Sequence, residues 1–395
     1  MKNSICIVGG DGFCGWALSL RLSNLGAKIV IIDNLSRRNI DIKNNTNSLI
    51  PIFTIEERLK KWEELTGKKI DFYNIDVSNY KNFDQICNIL KIYNIDTLIH
   101  LGEQRSAPYS MKNKNTRQYT IKNNLLGTHL LLDCIIETNI QIHFIHLGSM
   151  GVYGYGTIPD TVIPEGYLEI KMKKKDEWSE PVSILHPSYP GSIYHLTKTQ
   201  DALYFQFFAK NYNCRITDLH QGIVWGVSTK ETMLAPELMN RLDYDSDYGT
   251  VLNRFLLQSA LNIPLTIYGT GNQTRAFIHI ENSLDCIVIA INNPPKNGDK
   301  VNIFNQMTET HRLIDLAKQI KIWFPSTEIS YLDNPRIEFE KNELIVTNEK
   351  FCSLGLIPIH LNYELANEVR NLANLYSDRL IKDVLYPMSF WKKSI

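Results

Sequence analysis

The sequence predicts an α/β fold, in which a doubly wound parallel sheet with helices on both faces precedes a smaller α/β carboxy-terminal domain. Short apolar runs alternate with amphipathic stretches along the first half of the chain, which is the order of strands and helices in such sheets. The runs are apolar throughout rather than alternating, as in strands that are buried on both faces. A glycine-rich turn directly follows the first run, as expected for a tight connection from a strand to a helix.

The individual elements follow from where the apolar runs begin and end. Strands are predicted at 4–8, 28–32, 70–75, 97–101, 141–147 and 215–219. Helices are predicted where apolar residues recur with helical spacing, at 13–25, 80–93, 116–138 and 188–212. Two insertions interrupt the alternation, at 35–69 and 153–187, and the first contains a further helical pattern over 54–65.

The regular alternation ends near residue 222, and this sets the predicted domain boundary. Residues 1–222 form the first predicted domain, with both insertions inside it. Residues 223–395 form mainly the second, because prolines there separate short segments. Some segments of the second part are expected to return to the first domain.

Composition excludes several classes of protein. Hydrophobic residues make up 44% of the 395 residues and charged residues 21%, which is typical of a folded protein. The 42 basic residues cancel the 42 acidic ones, so we expect no nucleic-acid partner. No apolar run approaches the ~20 residues of a membrane span, and the first run begins too near Met1 for a leader peptide. Seven cysteines without C-x-x-C spacing predict a cytoplasmic protein with no metal site.

The glycine-rich turn and the acid that follows it predict a Rossmann-type dinucleotide site. Gly9, Gly12 and Gly15 have G-x-x-G-x-x-G spacing between a strand and a helix, so the backbone can approach a pyrophosphate at the helix N-terminus. Asp33 ends the second strand, where a carboxylate accepts hydrogen bonds from ribose hydroxyls and repels a 2′-phosphate. This favours NAD, although Arg37 and Arg38 leave NADP open. Further predicted cofactor-binding residues are Phe13, Cys14, Asn34, Asp76, Val77 and Leu101.

A predicted helix carries a tyrosine and a lysine that suit proton transfer to and from a hydroxyl. Tyr194 and Lys198 are four residues apart and therefore share one helix face. The ammonium of Lys198, together with the positive charge of an oxidised nicotinamide, is expected to lower the pKa of the phenol. Ser149, at the end of the fifth predicted strand, supplies a hydroxyl that polarises the same substrate oxygen. The order along the chain is glycine turn, serine, tyrosine and lysine, which predicts an NAD-dependent oxidation of an alcohol.

Several longer segments resemble a known superfamily. The chain resembles the extended short-chain dehydrogenase/reductases, which include UDP-glucose 4-epimerase and nucleotide-sugar 4,6-dehydratases, and within them it is most similar to the UDP-sulfoquinovose synthase family. The segment 102–111, which reads GEQRSAPYSM, is the most specific. The other segments that carry the resemblance are 9–16, 33–35, 123–128, 194–196, 241–245, 273–275 and 334–336.

The resemblance implies a redox cycle that closes within one turnover. UDP-glucose is oxidised at C4, which acidifies the proton at C5. Loss of that proton expels the 6-hydroxyl, sulfite adds at C6, and C4 is reduced again, so NAD is regenerated and need not leave. The resemblance also implies a homodimer formed through two helices of each copy.

The resemblance further implies roles for individual residues. Tyr194 is the base for the 4-hydroxyl, Lys198 tunes it and holds the nicotinamide ribose, and Asn123 contacts the cofactor. Ser149 orients the substrate and stands where the family usually has threonine, which keeps the hydroxyl and loses a methyl group. The predicted substrate-binding residues are Arg105, Ser149, Met150, Tyr194, Gln221, Arg241, Thr274, Arg275 and Arg336.

One step of this cycle has no residue assigned by the family pattern. Related 4,6-dehydratases have an Asp-Glu pair immediately after the strand-end threonine, and this chain has Met150 and Gly151 there, followed by Val152 where glutamate is expected. We expect His195 to handle the C5 proton or to protonate the leaving 6-hydroxyl, with Glu103 as the second candidate. The alternative functions are a UDP-hexose 4-epimerase, less favourably a 4,6-dehydratase, and a non-catalytic NAD-sensing protein.

Overall fold

The computed structural model describes residues 3–154, 162–186, 189–336, 343–388 and 391. Parts of the second predicted insertion therefore lie outside the described residues. The strands in chain order are β1 Ser4–Val8, β2 Lys28–Asp33, β3 Ile70–Asn74, β4 Thr97–His100, β5 His143–Leu147, β6 Tyr167–Ile170, β7 Lys173–Lys174, β8 Glu177–Trp178, β9 Val182–Leu185, β10 Arg215–Gln221, β11 Ile223–Trp225, β12 Leu265–Tyr268, β13 Thr274–His279, β14 Asn302–Gln306, β15 Glu309–Arg312 and β16 Ile329–Leu332.

The helices occupy the segments between these strands. In chain order they are α1 Phe13–Asn24, α2 Ser36–Asn44, α3 Ile55–Thr66, α4 Phe83–Ile92, α5 Ala107–Met111, α6 Lys114–Ile121, α7 Gly127–Thr138, α8 Ile193–Tyr212, α9 Val251–Ala260, α10 Ile280–Asn292, α11 Leu313–Trp323, α12 Glu349–Ser353 and α13 Tyr363–Leu375. The six predicted strands all exist, with ends that differ by at most two residues. The predicted helix at 188–212 begins later, at Ile193, where Ser192 caps it by accepting a hydrogen bond from the backbone N–H of His195.

The central sheet has seven strands in the order β14-β10-β5-β4-β1-β2-β3, and every pair in it is parallel. This confirms the predicted α/β fold with a doubly wound sheet. Strand β14 is the segment that returns from beyond residue 222 to extend the sheet beside β10. The strand order reverses between β1 and β4, and ligands of such sheets bind outside the carboxyl ends of the strands at this point.

The sheet is buried on both faces, as its solid apolar strands predict. Ile5 and Ile7 of β1 pack into one hydrophobic core, whereas Cys6 and Val8 pack into the other. The alternation follows because successive side chains of a strand point to opposite faces. A third core lies in the carboxy-terminal part, where α9 and α11 pack on β12 and α13 packs on α9, and it includes Trp225. No helix among the described residues is long and apolar enough to cross a bilayer.

Two segments differ from a simple helix-and-strand alternation. The predicted helix at 116–138 consists of α6 and α7 with a π-helical turn at Lys122–Leu126 between them, and such turns are frequent at functional sites. The second insertion holds two antiparallel pairs, β6 with β9 and β7 with β8. Lys173 and Lys174 are exposed there, as expected for a solvated loop.

Candidate active site

The glycine turn is shaped by contacts that exclude a side chain. A Cβ on Gly9, whose φ is +85°, would lie 2.6 Å from the backbone of Gly102, and one on Gly15 would lie 2.1 Å from the carbonyl oxygen of Gly9. No side chain caps the N-terminus of α1, which begins directly after Gly12. The first turn of this twelve-residue helix therefore faces the cavity at the carboxyl end of β1, an arrangement suited to a pyrophosphate.

Asp33 lines this cavity beside the glycine turn and is held by backbone N–H groups. Its carboxylate accepts hydrogen bonds from the N–H of Asp11 at 2.9 Å and of Leu35 at 2.7 Å. Burial, together with the charge of Asp11, raises the pKa of Asp33 to about 6. Arg38 pairs with Asp11 at 2.6 Å and does not line the cavity. A 2′-phosphate would have to draw Arg38 away from that pair, which favours the binding of NAD.

Most of the predicted cofactor-binding residues line this cavity. Those that do are Gly9, Gly12, Phe13, Cys14, Gly15, Asp33, Asn34, Arg37, Val77, Leu101, Tyr194 and Lys198. Asp76 instead accepts hydrogen bonds from the backbone and hydroxyl of Ser78 at 2.9 and 2.8 Å. Asn123 donates to the carbonyl of Gly102 at 3.3 Å, so it supports the loop that meets the glycine turn.

A cluster of arginines and aspartates closes one side of the cofactor cavity. Asp243 is buried and accepts from Arg37 at 3.0 Å, from Arg105 at 2.5 Å and from Arg241 at 2.9 Å. Arg241 also pairs with Asp41 of α2 at 2.6 Å. Burial would raise the pKa of Asp243, but these three arginines outweigh burial and hold it well below its ordinary value. The cluster ties the first insertion to the segment that precedes α9.

The predicted catalytic residues meet where the cofactor cavity joins a second cavity. Tyr194 lines both cavities, Lys198 lines the first, and Ser149 lines the second. The ammonium nitrogen of Lys198 lies 5.9 Å from the ring centroid of Tyr194. Burial raises the pKa of Tyr194, and Lys198 and the hydroxyl of Ser149 oppose that effect without overcoming it. Lys198 thus acts on the pKa of Tyr194 in the predicted direction. Without the charge of a cofactor, however, the phenol stays protonated.

The second cavity has a volume of about 260 Å³ and lies between the sheet edge and the carboxy-terminal part. The predicted substrate-binding residues that line it are Arg105, Ser149, Met150, Tyr194, Gln221, Arg275 and Arg336. Arg241 is turned to the cofactor cavity instead, and Thr274 lies in neither lining, with its backbone paired to Arg312 of β15. The sequence also did not assign Asp243, which lines this cavity, although it belongs to the 241–245 segment.

His195 occupies space that a side chain at position 151 would need. A Cβ built on Gly151 would lie 2.2 Å from Nε2 of His195, so only glycine there admits the imidazole. The Nδ1 atom of the same ring lies 3.1 Å from the hydroxyl of Ser192, which fixes the ring orientation. Burial, reinforced by Arg336 and Arg275, lowers the pKa of His195 to about 3, so the ring is neutral near pH 7. The unprotonated ring has a lone pair that can accept a proton, and its lowered pKa makes it a weak base whose conjugate acid returns the proton readily.

Glu103, the other candidate for C5, is turned away from the second cavity. Its side chain is 3% exposed and lines the cofactor cavity. One carboxylate oxygen lies 2.8 Å from the ammonium of Lys198 and the other 2.9 Å from Nε2 of His146. These contacts favour His195 over Glu103 for proton transfer at C5.

Comparison with known proteins agrees with this geometry. Residues 5–305 match the model of the NAD dependent epimerase/dehydratase family. The chloroplastic UDP-sulfoquinovose synthase of Spinacia oleracea is 39% identical over 99% of this chain and 80% of its own length. The UDP-sulfoquinovose synthase of Sulfolobus acidocaldarius is 35% identical over 98% of both chains. The chain belongs to the UDP-sulfoquinovose synthase family. The family predicted from the sequence is thereby confirmed, together with an enzymatic rather than a purely sensing role.

Solved structures related to this family share its fold at lower identity. The UDP-glucose 4-epimerase of Thermotoga maritima, solved with UDP-glucose, has a TM-score of 0.65 at 20% identity and covers 95% of this chain and 99% of its own. The UDP-glucuronic acid 4-epimerase of Bacillus cereus, solved with UDP-glucuronic acid and NAD, gives the same values. This chain therefore shares the fold of these epimerases.

Proposed function

We propose that this chain converts UDP-glucose and sulfite to UDP-sulfoquinovose with a bound NAD that is regenerated in each turnover. The observation that carries the proposal is the packing of His195 on Gly151, within a chain similar to UDP-sulfoquinovose synthases along nearly its whole length. This packing provides a proton-accepting group beside Ser149 and Tyr194. A simple 4-epimerase needs no such group, because only C4 reacts.

The residues of the chain fit a bound NAD. The glycine turn leaves room for a pyrophosphate, Asp33 is placed for the ribose hydroxyls, and Lys198 and Tyr194 lie at the far end of the cavity, where the nicotinamide would reach the sugar. The cofactor supplies the acceptor and later the donor of the C4 hydride. Tyr194 takes the proton of the 4-hydroxyl and returns it when C4 is reduced, while Ser149 orients the oxygen.

His195 is proposed to carry the proton between C5 and the leaving group. The neutral ring accepts the C5 proton at Nε2 once C4 is a ketone, and the electron pair of the C5–H bond forms the double bond to C6. The resulting imidazolium is a strong acid, because burial and two arginines disfavour its charge. It gives the proton to the 6-hydroxyl, which leaves as water. Sulfite then adds at C6, and C5 regains a proton.

The decisive experiment is mass spectrometry of the products formed from UDP-glucose with and without sulfite. A product carrying the added mass of a sulfonate is expected only when sulfite is present. A 4-epimerase would instead form UDP-galactose, an isomer of UDP-glucose, so the mass would stay unchanged in both reactions. Absence of the sulfonate with free sulfite and with a protein-delivered sulfite donor would reject the proposal.

We also propose that two copies associate through α7 and α8. Leu203 and Phe207 are one helical turn apart on α8 and are 59% and 52% exposed, and Leu126 beside α7 is 49% exposed. Large apolar side chains grouped on neighbouring helices favour a four-helix interface between copies. Phe207→Asp is expected to shift the mass measured by light scattering from dimer to monomer, whereas Ile322→Asp on the exposed side of α11 leaves it unchanged. A monomeric wild-type chain would contradict this assignment.

A further inference from the structure

A buried cluster of charged side chains lies directly behind Lys198, outside the second cavity. Glu103 follows β4, His146 belongs to β5, and Asp218 belongs to β10, which are neighbouring strands of the central sheet. Asp201 reaches the cluster from α8, one helical turn after Lys198. The side chains of all five are at most 4% exposed. Burying so many ionisable groups is costly unless each charge is compensated, so the arrangement of the charges must be specific.

The cluster forms one continuous chain of short contacts. Lys198 Nζ lies 2.8 Å from Glu103 Oε2, and Glu103 Oε1 lies 2.9 Å from His146 Nε2. His146 Nδ1 then lies 2.8 Å from Asp218 Oδ1. Lys198 Nζ also donates to the carbonyl of Leu147 at 2.6 Å. The ammonium is therefore fixed from two directions by groups that the rigid sheet supports.

The same cluster has the geometry of a cation site, and Lys198 supplies the cation. Glu103, His146 and Asp201 offer three ligand atoms that lie within 4.8 Å of one another. The ammonium of Lys198 lies 2.8 and 3.1 Å from the first two of these residues. A divalent ion there would be repelled by the ammonium at short range in a buried site.

The charges of the cluster alternate along the chain. Burial would lower the pKa of Lys198, but Glu103 raises it above its ordinary value. Burial would raise the pKa of Glu103, but Lys198 and His146 hold it well below its usual range. Burial and Lys198 would lower the pKa of His146, yet Asp218 and Glu103 raise it to about 9. Burial and the charge of Glu103 raise the pKa of Asp201 well above its usual value.

We propose that Glu103 is a positioning residue for the redox cycle: backed by His146 and Asp218, it holds the Lys198 ammonium in one place, so that Tyr194 can take and return the same proton. This inference rests on the proposed function, because only an internal redox cycle must return the proton to the oxygen that lost it. In this proposal Lys198 keeps its charge in both protonation states of Tyr194, the phenolate and the phenol. Glu103 does not touch the sugar and acts only through Lys198.

The first half-reaction tests this role before any sulfite is needed. Formation of bound NADH from UDP-glucose is followed by absorbance across a range of pH for wild type and for Glu103→Gln. The groups that face Lys198 and Glu103 are Tyr194, Asp201, His100, His146 and Asp218. Loss of the Glu103 charge lowers the pKa of both Tyr194 and Lys198, because that charge raises both. The acidic limb and the basic limb of the rate–pH profile are therefore both expected to move to lower pH, by about 1–3 pH units.

The control variants separate positioning from general stability. Glu103→Gln is expected to lower the maximal rate on the order of 100-fold, with the KM for UDP-glucose changed less than about twofold. Glu165→Gln removes another buried carboxylate, which accepts hydrogen bonds from the backbone N–H groups of Asn305 and Lys350 rather than from Lys198 or His146, and is expected to keep the wild-type profile. Glu103→Asp keeps the negative charge, but its shorter side chain moves the carboxylate away from Lys198. The rate–pH profile of this variant is therefore expected to stay at the wild-type pH, while its maximal rate falls.

The outcomes distinguish this inference from the proposed function. If the wild-type chain forms no bound NADH from UDP-glucose, the redox function itself is contradicted. If the wild-type chain forms bound NADH and the rate–pH profile of Glu103→Gln is not shifted, only the positioning role of Glu103 is overturned. If Glu103→Gln does not fold, Glu103→Asp decides: a maximal rate equal to that of wild type overturns the role, and a reduced rate at unchanged pH dependence supports it.

Discussion

Tyr194→Phe is expected to stop the first hydride transfer almost completely. The substitution removes the hydroxyl proposed to take the proton of the 4-hydroxyl, and it keeps the ring at the junction of the two cavities. Loss of a positioned general base costs about 10²–10⁴ in rate. The measurement is the rate at which UDP-glucose reduces bound NAD, followed by absorbance.

The control for this variant is another tyrosine of the same region. Tyr189→Phe removes a hydroxyl that is exposed and lies outside both cavities, and it is expected to react at the wild-type rate. Thermal unfolding of the two variants should differ little from that of wild type, since neither substitution leaves a cavity. If Tyr194→Phe kept more than about a tenth of the wild-type rate, a different group would have to be the base, because a loss below tenfold is smaller than general-base removal produces.

The sequence predicted those parts of the site that local spacing determines. The glycine turn, Asp33 and the pair of Tyr194 and Lys198 each depend on neighbours within one strand-turn-helix unit or one helix face. Ser149 was predicted as well, because it ends a recognisable apolar strand. Short-range geometry fixes where these side chains lie, so their placement follows from the order of strands and helices.

Contacts between distant segments could not be read from the sequence in the same way. The packing of His195 against Gly151 depends on an absent side chain, and a glycine in a loop carries no sign of the ring that will fill its space. Glu103 looked like a candidate base because it lies in the most specific segment, and only the positions of Lys198 and His146 show that its carboxylate is already engaged. Arg241 was expected at the substrate from the family resemblance, yet Asp41 and Asp243 hold it at the cofactor cavity.

The elimination step is where this chain departs from the dehydratase pattern, and His195→Gln is expected to block it selectively. Glutamine keeps a polar side chain of similar length but cannot accept and pass on a proton at neutral pH. The first hydride transfer is expected to continue within about threefold of the wild-type rate, since Tyr194, Lys198 and Ser149 are untouched, whereas formation of the sulfonated product falls by about 10²–10⁴. Absorbance of bound NADH follows the first hydride transfer, and product mass spectrometry in D₂O follows the later steps, since wild-type product carries deuterium from solvent at C5.

A second variant reaches the same step without changing the histidine. Gly151→Ala places a methyl group 2.2 Å from the present position of His195 Nε2, so the ring must shift from that position. The variant is expected to lose the sulfonated product while bound NADH still forms. The control is His360→Gln, which changes an exposed histidine outside both cavities and is expected to behave as wild type.

Sulfonate formation at the wild-type rate by His195→Gln would show that another group removes the C5 proton. Loss of both half-reactions in Gly151→Ala alone would point instead to displacement of Ser149, because Gly151 donates its backbone N–H to that hydroxyl at 3.1 Å. The pair of variants therefore separates the chemistry of the imidazole from the geometry of the loop that carries Ser149.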